Sequence, residues 1–96
     1  MKKDYDVSDI KWQRKDNWVG SQVDEAFVML DFVGGEYISL NSTAAKIWET
    51  LEQPRSSDEI VSALTETFDV SGEQAGAAVS RVLGVFEGKG LIQQVG

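Results

Sequence analysis

The sequence predicts a single α+β domain in which a three-stranded antiparallel meander precedes three short helices. Up to Leu40, the chain contains apolar runs of strand length, separated by turn signals. After Asn41, the apolar residues recur with a helical period. A run of strands followed by a run of helices is typical of α+β domains. With 96 residues, of which 42% are apolar, the chain can form one small core.

The three predicted strands are separated by two tight turns. The stretch from Ile10 to Val23 has room for one short strand, best placed at Trp18–Val23, and Asp24 and Glu25 then turn the chain. The apolar run Ala26–Phe32 forms the second strand, and Glu36–Leu40 returns beside it. Gly34-Gly35 predicts a two-residue hairpin, because both glycines tolerate positive φ. Sequential pairing leaves Glu36–Leu40 at a sheet edge with unpaired N–H and C=O groups.

Capping signals bound the first two helices. The first covers about residues 42–52, follows the third strand without a linker, and is stopped by Pro54. Ser56 and Glu59 form a capping-box pattern that starts the second helix. Because the first helix is joined directly to the strand, it fixes the C-terminal end of the edge strand, whose free side becomes a preformed template.

The third helix carries a wide apolar surface. It begins at the capping box of Ser71 and ends at Gly88–Gly90, after which Leu91-Ile92 returns to the core. Gly76 and Gly84 lie in its interior, where each costs about 1 kcal/mol relative to Ala. Glycines at such positions favour the close approach of another backbone, either from the sheet or from a ligand.

The residue types that are missing limit the chemistry of the chain. It has no cysteine and no histidine, so the commonest metal ligands and the commonest general base near neutral pH are absent. The carboxylates are placed like helix caps and solvated faces. We therefore expect no catalytic residue, no metal and no cofactor, and a small enzyme is only a third hypothesis.

The charge distribution limits the partners. The net charge is −7, and residues 16–96 hold four Lys or Arg against thirteen Asp or Glu. Such a body repels phosphate backbones, so we expect no nucleic-acid partner. No apolar run has the length of a membrane span and the first residues lack a signal-peptide apolar region, which predicts a cytoplasmic protein without a membrane partner. Residues 1–9 are expected to be a flexible segment before a domain at 10–96.

Two functional readings follow from this organisation. The helices beside a β-hairpin resemble a winged helix-turn-helix, a fold that suggests DNA binding. The third helix, however, offers only Arg81 against Glu73 and Glu87, which makes DNA the weaker reading. The edge strand either is covered by another part of the chain or accepts an added peptide strand.

Several short motifs together resemble the PqqD-like family, whose members are also called RiPP recognition elements. The motifs are Gly35-x-Tyr37-x-x-Leu40-Asn41-x-Thr43-Ala44, Ile47-Trp48-x-x-Leu51, Ser57-Asp58-Glu59-Ile60 and Gly90-Leu91-Ile92. The resemblance covers about residues 17–93. It implies a small winged-helix domain that is not an enzyme and that binds the leader part of a ribosomally made precursor peptide.

The resemblance also implies where the leader binds. In this family the leader adds as an extra strand beside the third strand, in a cleft walled by the third helix. Carried onto this chain, the site is expected to comprise Glu36, Tyr37, Ile38, Ser39 and Leu40 of the strand, with Ala78, Val79, Arg81, Val82, Val85 and Phe86 of the helix.

Within the family, two assignments stay open. The length of the chain and the segment Glu52–Ser71 are similar to leader-binding proteins of split lasso peptide systems, which work with a separate leader peptidase and a cyclase. The alternative is PqqD itself, a peptide chaperone for a radical SAM enzyme in pyrroloquinoline quinone synthesis. The usual proline-and-glycine start of that protein is missing here. We expect the modifying or processing enzyme to be a separate protein.

Overall fold

The computed structural model describes residues 10–95 and consists of two three-stranded antiparallel sheets and three helices. The expected flexible segment 1–9 lies outside the described residues. The elements in chain order are β1 Lys11–Arg14, β2 Trp18–Val23, β3 Ala26–Asp31, β4 Glu36–Leu40, α1 Ser42–Thr50, β5 Arg55–Ser56, α2 Ser57–Thr67, α3 Gly72–Gly88 and β6 Ile92–Val95.

The predicted meander is confirmed, with strands in the order β2-β3-β4. The predicted two-residue hairpin between β3 and β4 is wrong, because the loop has four residues, 32–35. The side chain of the buried Asp31 accepts a hydrogen bond from the Val33 N–H at 3.0 Å. The backbone C=O of Asp31 accepts another from the Gly35 N–H at 2.8 Å. Gly35 has φ +70, while a Cβ on Gly34 would lie 2.6 Å from Asp31 Oδ2. Both glycines are therefore required, but by a loop that folds around Asp31.

A second sheet, with strands in the order β5-β1-β6, corrects the prediction of a single strand between Ile10 and Val23. Its middle strand, β1, pairs Lys11 with Ser56 and Arg14 with Ile92. β5 has only two residues, and the polar centre of β6 shows no apolar alternation, so neither gives a strand signal in the sequence. The α+β class and the order of meander and helices are confirmed, whereas the winged-helix description stays a prediction.

The predicted helix starts are confirmed by their caps. The Asn41 side chain accepts a hydrogen bond from the Ala44 N–H at 2.9 Å and so begins α1 immediately after β4. Capping boxes begin α2, at Ser56 and Glu59, and α3. The Ser56 N–H donates to the Glu59 carboxylate at 2.8 Å, and this hydrogen bond, helped by nearby cations, lowers the pKa of Glu59 below its usual value.

The core lies between the meander and the helices, around Trp48 of α1. Its ring contacts Trp18 of β2 and Phe86 of α3 edge-on, with centroids 5.0 Å apart in both pairs. Trp48 and Phe86 are both buried, so this aromatic chain connects β2, α1 and α3. Edge-on contacts of this kind add to the stability that burial itself provides. They also fix the position of α3 relative to the sheet.

Candidate functional site

The outer edge of β4 is open in the part of the chain that the structure describes. Within residues 10–95, β4 pairs with β3 alone, and none of these residues forms a strand on its other side. An edge of this kind presents a row of N–H and C=O groups to an incoming strand. The first question is which residues present them.

The hydrogen bonds of β3 determine the direction of its backbone groups. The Phe32 N–H donates to the Asn17 C=O at 2.9 Å, which extends the β2–β3 ladder by one pair. Backbone groups of successive residues point to opposite sides of a strand. The N–H and C=O of Asp31 therefore point towards β4, in agreement with the bond from the Gly35 N–H to the Asp31 C=O.

The register between β3 and β4 then assigns the backbone groups of β4. Asp31 lies opposite Glu36, and Met29 lies opposite Ile38, so Glu36 and Ile38 direct their N–H and C=O groups towards β3. Tyr37 and Ser39 have the opposite parity, and their backbone groups face the open edge. These two residues are the ones that can pair with an added strand.

Side chains on β4 alternate in the same way. Leu40 is buried and Ile38 is half-buried against the core, whereas Ser39 is exposed and Tyr37 is 77% exposed. The side chain of Leu40 therefore supports the strand from inside. Ile38 lies at the edge of the core, and an added strand would lie beside it.

One flank of α3 faces this edge. Ala78, Val82, Val85 and Lys89 recur at helical spacing, and the Lys89 Nζ lies 2.6 Å from the Glu36 Oε1 at the start of β4. Val85 is 49% exposed. The ion pair therefore connects the end of this flank to the first residue of β4. We call the space between the flank and the outer edge of β4 the candidate groove.

The predicted wall residues of α3 divide by burial. Val79 and Phe86 are each only 1% exposed, so they belong to the core and hold the helix in place. Val82 is 9% exposed and lies at the base of the flank. Ala78 is half-buried and Arg81 is exposed, so these two and Val85 supply the accessible surface. Of the six predicted helix residues, only Ala78, Arg81 and Val85 therefore offer accessible side chains.

Sequence reasoning missed Lys89. A signal was present, because Lys89 lies four residues after Val85 and seven after Val82, the spacing of one helical face. The close approach of a backbone that Gly76 and Gly84 predicted is not found within the described residues, where nothing lies within 4 Å of a Cβ built at either position.

A second concave region lies at the other edge of the meander. A cavity of about 640 Å³ is bordered by the aromatic rings of Trp18, Phe27 and Phe68, with Arg14 and Lys46 among its charged residues. No group of three or more acidic residues that could hold a metal ion occurs in the described part of the chain. Likewise, none of the helices within residues 10–95 is both long and apolar enough to cross a membrane.

The chain forms a small α+β domain with an open strand edge, and sequence comparison places it in a family. The sequence profile described as "Coenzyme PQQ synthesis protein D (PqqD)" matches residues 26–92, and the chain belongs to this family. The matched range contains β3, β4 and all three helices, and therefore both elements of the candidate groove. No curated protein matches the sequence.

Two solved structures are similar to this chain over most of its length. TbiB1, in complex with the TbiA(beta) leader peptide, is 25% identical with a TM-score of 0.74, covering 84% of this chain and 94% of the other. A lasso peptide synthetase B1 complexed with the leader peptide is 26% identical with a TM-score of 0.72, covering 85% of this chain and 96% of the other. Both proteins were thus solved with a leader peptide.

Proposed function

We propose that this chain binds the leader region of a ribosomally synthesised precursor peptide and presents it to a processing enzyme of a lasso-type pathway. The observation that carries the proposal is the open β4 edge beside an accessible flank of α3. The fold that contains this edge is shared with two proteins that were solved with leader peptides.

In this proposal the leader adds as a fourth strand of the meander. The N–H and C=O groups of Tyr37 and Ser39 pair with the leader backbone, which gives affinity with little dependence on sequence. Alternate leader side chains then point into the groove between Ile38 and Val85, and these contacts give specificity. The others point to the outside, next to the Tyr37 ring.

The proposed role is non-catalytic. The chain has no histidine or cysteine, and the groove is formed by aliphatic side chains with one ion pair and the exposed Arg81. The chemistry therefore belongs to a separate leader peptidase or another modifying enzyme. The chain raises the local concentration of the precursor at that enzyme.

The family description favours a second candidate, a peptide chaperone in the synthesis of coenzyme PQQ. Both candidates use the same edge and differ in the precursor and in the partner enzyme. The genes beside that of this chain discriminate between them. A short precursor gene with a transglutaminase-like peptidase and an asparagine-synthetase-like cyclase supports the lasso assignment, and a radical SAM enzyme supports the alternative.

Titration of a fluorescently labelled leader, followed by anisotropy, tests the function directly. Because the contacts are mostly apolar and backbone-mediated, we expect the Kd to change by less than about tenfold between low and moderate salt. A scrambled leader of the same composition is the control. Equal binding of the two peptides contradicts recognition of the leader sequence by the groove. An affinity that collapses with salt contradicts a contact that is mostly apolar and backbone-mediated.

A further inference from the structure

β2 is the other edge strand of the meander, and its outer edge is also open. Within residues 10–95, β2 pairs with β3 alone. The hydrogen bond from the Phe32 N–H to the Asn17 C=O sets the parity of β2 as it does for β3. The backbone groups of Trp18, Gly20 and Gln22 therefore face away from β3, and none of them is bonded to another part of the described chain. These three residues can pair with an added strand.

A flank of α1 lies beside this second edge. Ser42, Ala45, Lys46 and Glu49 recur at helical spacing on α1. Together with the three edge residues of β2, they border the cavity of about 640 Å³. We call the space between the outer edge of β2 and this flank the β2 groove. An open strand edge beside a helix flank is thus present twice in the fold, at β4 with α3 and at β2 with α1.

The β2 groove has an aromatic floor. A Cβ on Gly20 would lie 2.6 Å from the Phe27 Cζ and 3.1 Å from the Trp18 Cζ3, so the glycine lets these two rings approach each other across the strand. Their centroids are 6.1 Å apart in an edge-on arrangement, and the Phe68 ring also borders the cavity. All three rings are half-buried and pack against the core. Together they offer apolar surface to one side chain of an added strand.

The two cations that border the β2 groove are already engaged. Arg14 donates to the Trp48 C=O at 3.2 Å and lies over the Trp18 ring, with its guanidinium carbon 4.9 Å from the ring centroid. The Lys46 Nζ lies 3.1 Å from the Glu49 Oε1. Neither cation therefore neutralises the other carboxylates of the groove.

These other carboxylates belong to Glu25 and Glu52, near opposite ends of the β2 groove. Glu25 follows β2 in the turn to β3, whereas Glu52 follows α1, next to the Leu51 C=O that is bonded to the Arg14 N–H. Both are exposed, and neither forms an ion pair with a described residue. The complementary occupant is an extended segment with an apolar residue at its centre and a Lys or Arg on each side. Because alternate residues of a strand share one face, the expected pattern is Lys/Arg-x-apolar-x-Lys/Arg.

We infer that the β2 groove binds an extended segment of the separate processing enzyme by a second strand addition. The inference rests on the proposed function, in which that enzyme acts on the precursor while the leader occupies β4. The enzyme segment and the leader then form the outer strands of a five-stranded sheet, four strand spacings or about 19 Å apart. They do not compete, because they use opposite edges. A second copy of the chain is disfavoured as the occupant, because the exposed charges of its own meander are all acidic.

The test uses the processing enzyme encoded beside this chain, made inactive by one substitution and titrated by biolayer interferometry. Gln22→Pro removes an N–H that faces the open edge, and its ring occupies the space of the added strand. Enzyme binding should therefore weaken by about fivefold or more. Gln22→Ala keeps the N–H and is the matched control, with an expected enzyme affinity close to that of the parent. Anisotropy should show an unchanged leader affinity in both variants, and circular dichroism should show an intact fold.

Charge reversal provides an independent arm that leaves the backbone unchanged, and it decides alone if Gln22→Pro does not fold. The double variant Glu25→Lys, Glu52→Lys should weaken enzyme binding by about tenfold or more and reduce its salt dependence. The double variant Glu66→Lys, Glu73→Lys changes the net charge by the same amount at exposed helix positions that do not border the β2 groove. It should leave both the affinity and its salt dependence unchanged.

The possible failures are distinguishable. If the parent chain does not bind the leader, the proposed function fails and the inference falls with it. If the leader binds but the enzyme does not bind the parent, or binds the parent and the β2-groove variants equally well, the inference alone is overturned. Calorimetry showing two leaders per chain, with the second lost in Gln22→Pro, would assign the β2 groove to the leader and overturn it. Sedimentation showing a dimer that Gln22→Pro abolishes would assign the groove to a second copy and also overturn it.

Discussion

Proline substitutions along β4 separate the ladder inside the sheet from the open edge. Proline removes one N–H without adding charge. At Ser39 the missing N–H faces the open edge, and at Tyr37 it does so as well, so Ser39→Pro and Tyr37→Pro should leave the β3–β4 ladder intact. At Ile38 the missing N–H faces β3, opposite Met29. Ile38→Pro should therefore damage the sheet itself.

The expected magnitudes follow from these positions. Loss of one hydrogen bond costs about 0.5–1.5 kcal/mol net. At Ser39 the proline ring also occupies the space that an added strand needs, so leader binding should weaken by about 1–3 kcal/mol, or roughly 5- to 150-fold. Ile38→Pro breaks a ladder bond and removes apolar surface that packs against the core. Its free energy of unfolding should fall by about 2 kcal/mol or more.

Urea unfolding followed by circular dichroism measures stability, and anisotropy with labelled leader measures affinity. Ser39→Ala keeps the N–H and is the matched control, with an expected affinity close to that of the parent. If the folded Ser39→Pro and Tyr37→Pro variants bind the leader as well as the parent does, strand addition at β4 is refuted. A stable Ile38→Pro variant would instead show that the assigned parity is inverted.

Three further sets of substitutions test the helix flank, the ion pair and a cap. Val85→Asp should weaken leader binding with little loss of stability, because Val85 is 49% exposed. Val82→Asp should weaken binding and also lower the free energy of unfolding by about 2 kcal/mol or more, because Val82 is buried. An unchanged leader affinity in a folded Val85→Asp variant would place the groove elsewhere on α3. Lys89→Glu should lower stability by less than about 1 kcal/mol, because the ion pair is exposed, and should reduce leader affinity by opening one end of the groove. Adding Glu36→Lys to this variant should restore both the stability and the leader affinity. If the double variant does not recover leader affinity, the ion pair does not contribute to the groove. The lowered pKa of Glu59 means that its contribution to stability is present above about pH 4.5 and is lost as the pH falls through the lower pKa of the folded state. Glu59→Gln should flatten the dependence of urea stability on pH in this acidic range, and an unchanged dependence would show that the cap charge is not involved.

The meander and the helices could be predicted because their signals are local. The alternation in β4 and the capping boxes at Ser56 and Ser71 lie within short windows of the sequence. The second sheet could not be predicted, because β1 pairs with β5 and β6 across more than forty residues. Its strands are short, so they show no periodicity of their own.

The candidate groove could be predicted only to the level of its two elements. The edge position of β4 followed from strand order, and the resemblance supplied the neighbouring helix. The parity of Tyr37 and Ser39 depends on the bond from the Phe32 N–H to the Asn17 C=O, which no local pattern reveals. Burial separated Val85 from Phe86, although both belong to the apolar surface of the same helix. These distinctions depend on tertiary packing.

The second sheet accounts for how β4 can stay open. The Arg14 N–H donates to the Leu51 C=O at 3.0 Å, and the Lys15 N–H donates to the Leu91 C=O at 2.8 Å. The C-terminal end of β1 is therefore bonded to the residues that follow α1 and α3. These bonds hold the helices next to β1. Within the described residues, no strand lies on the outer edge of β4. An open edge with an apolar neighbouring face normally promotes self-association. Because the exposed charges of the meander are all acidic and the chain as a whole carries −7, a second copy is repelled, while a leader peptide with Lys or Arg at its outer positions is not. The same charge that argues against nucleic acid thus also disfavours self-association at the open edge.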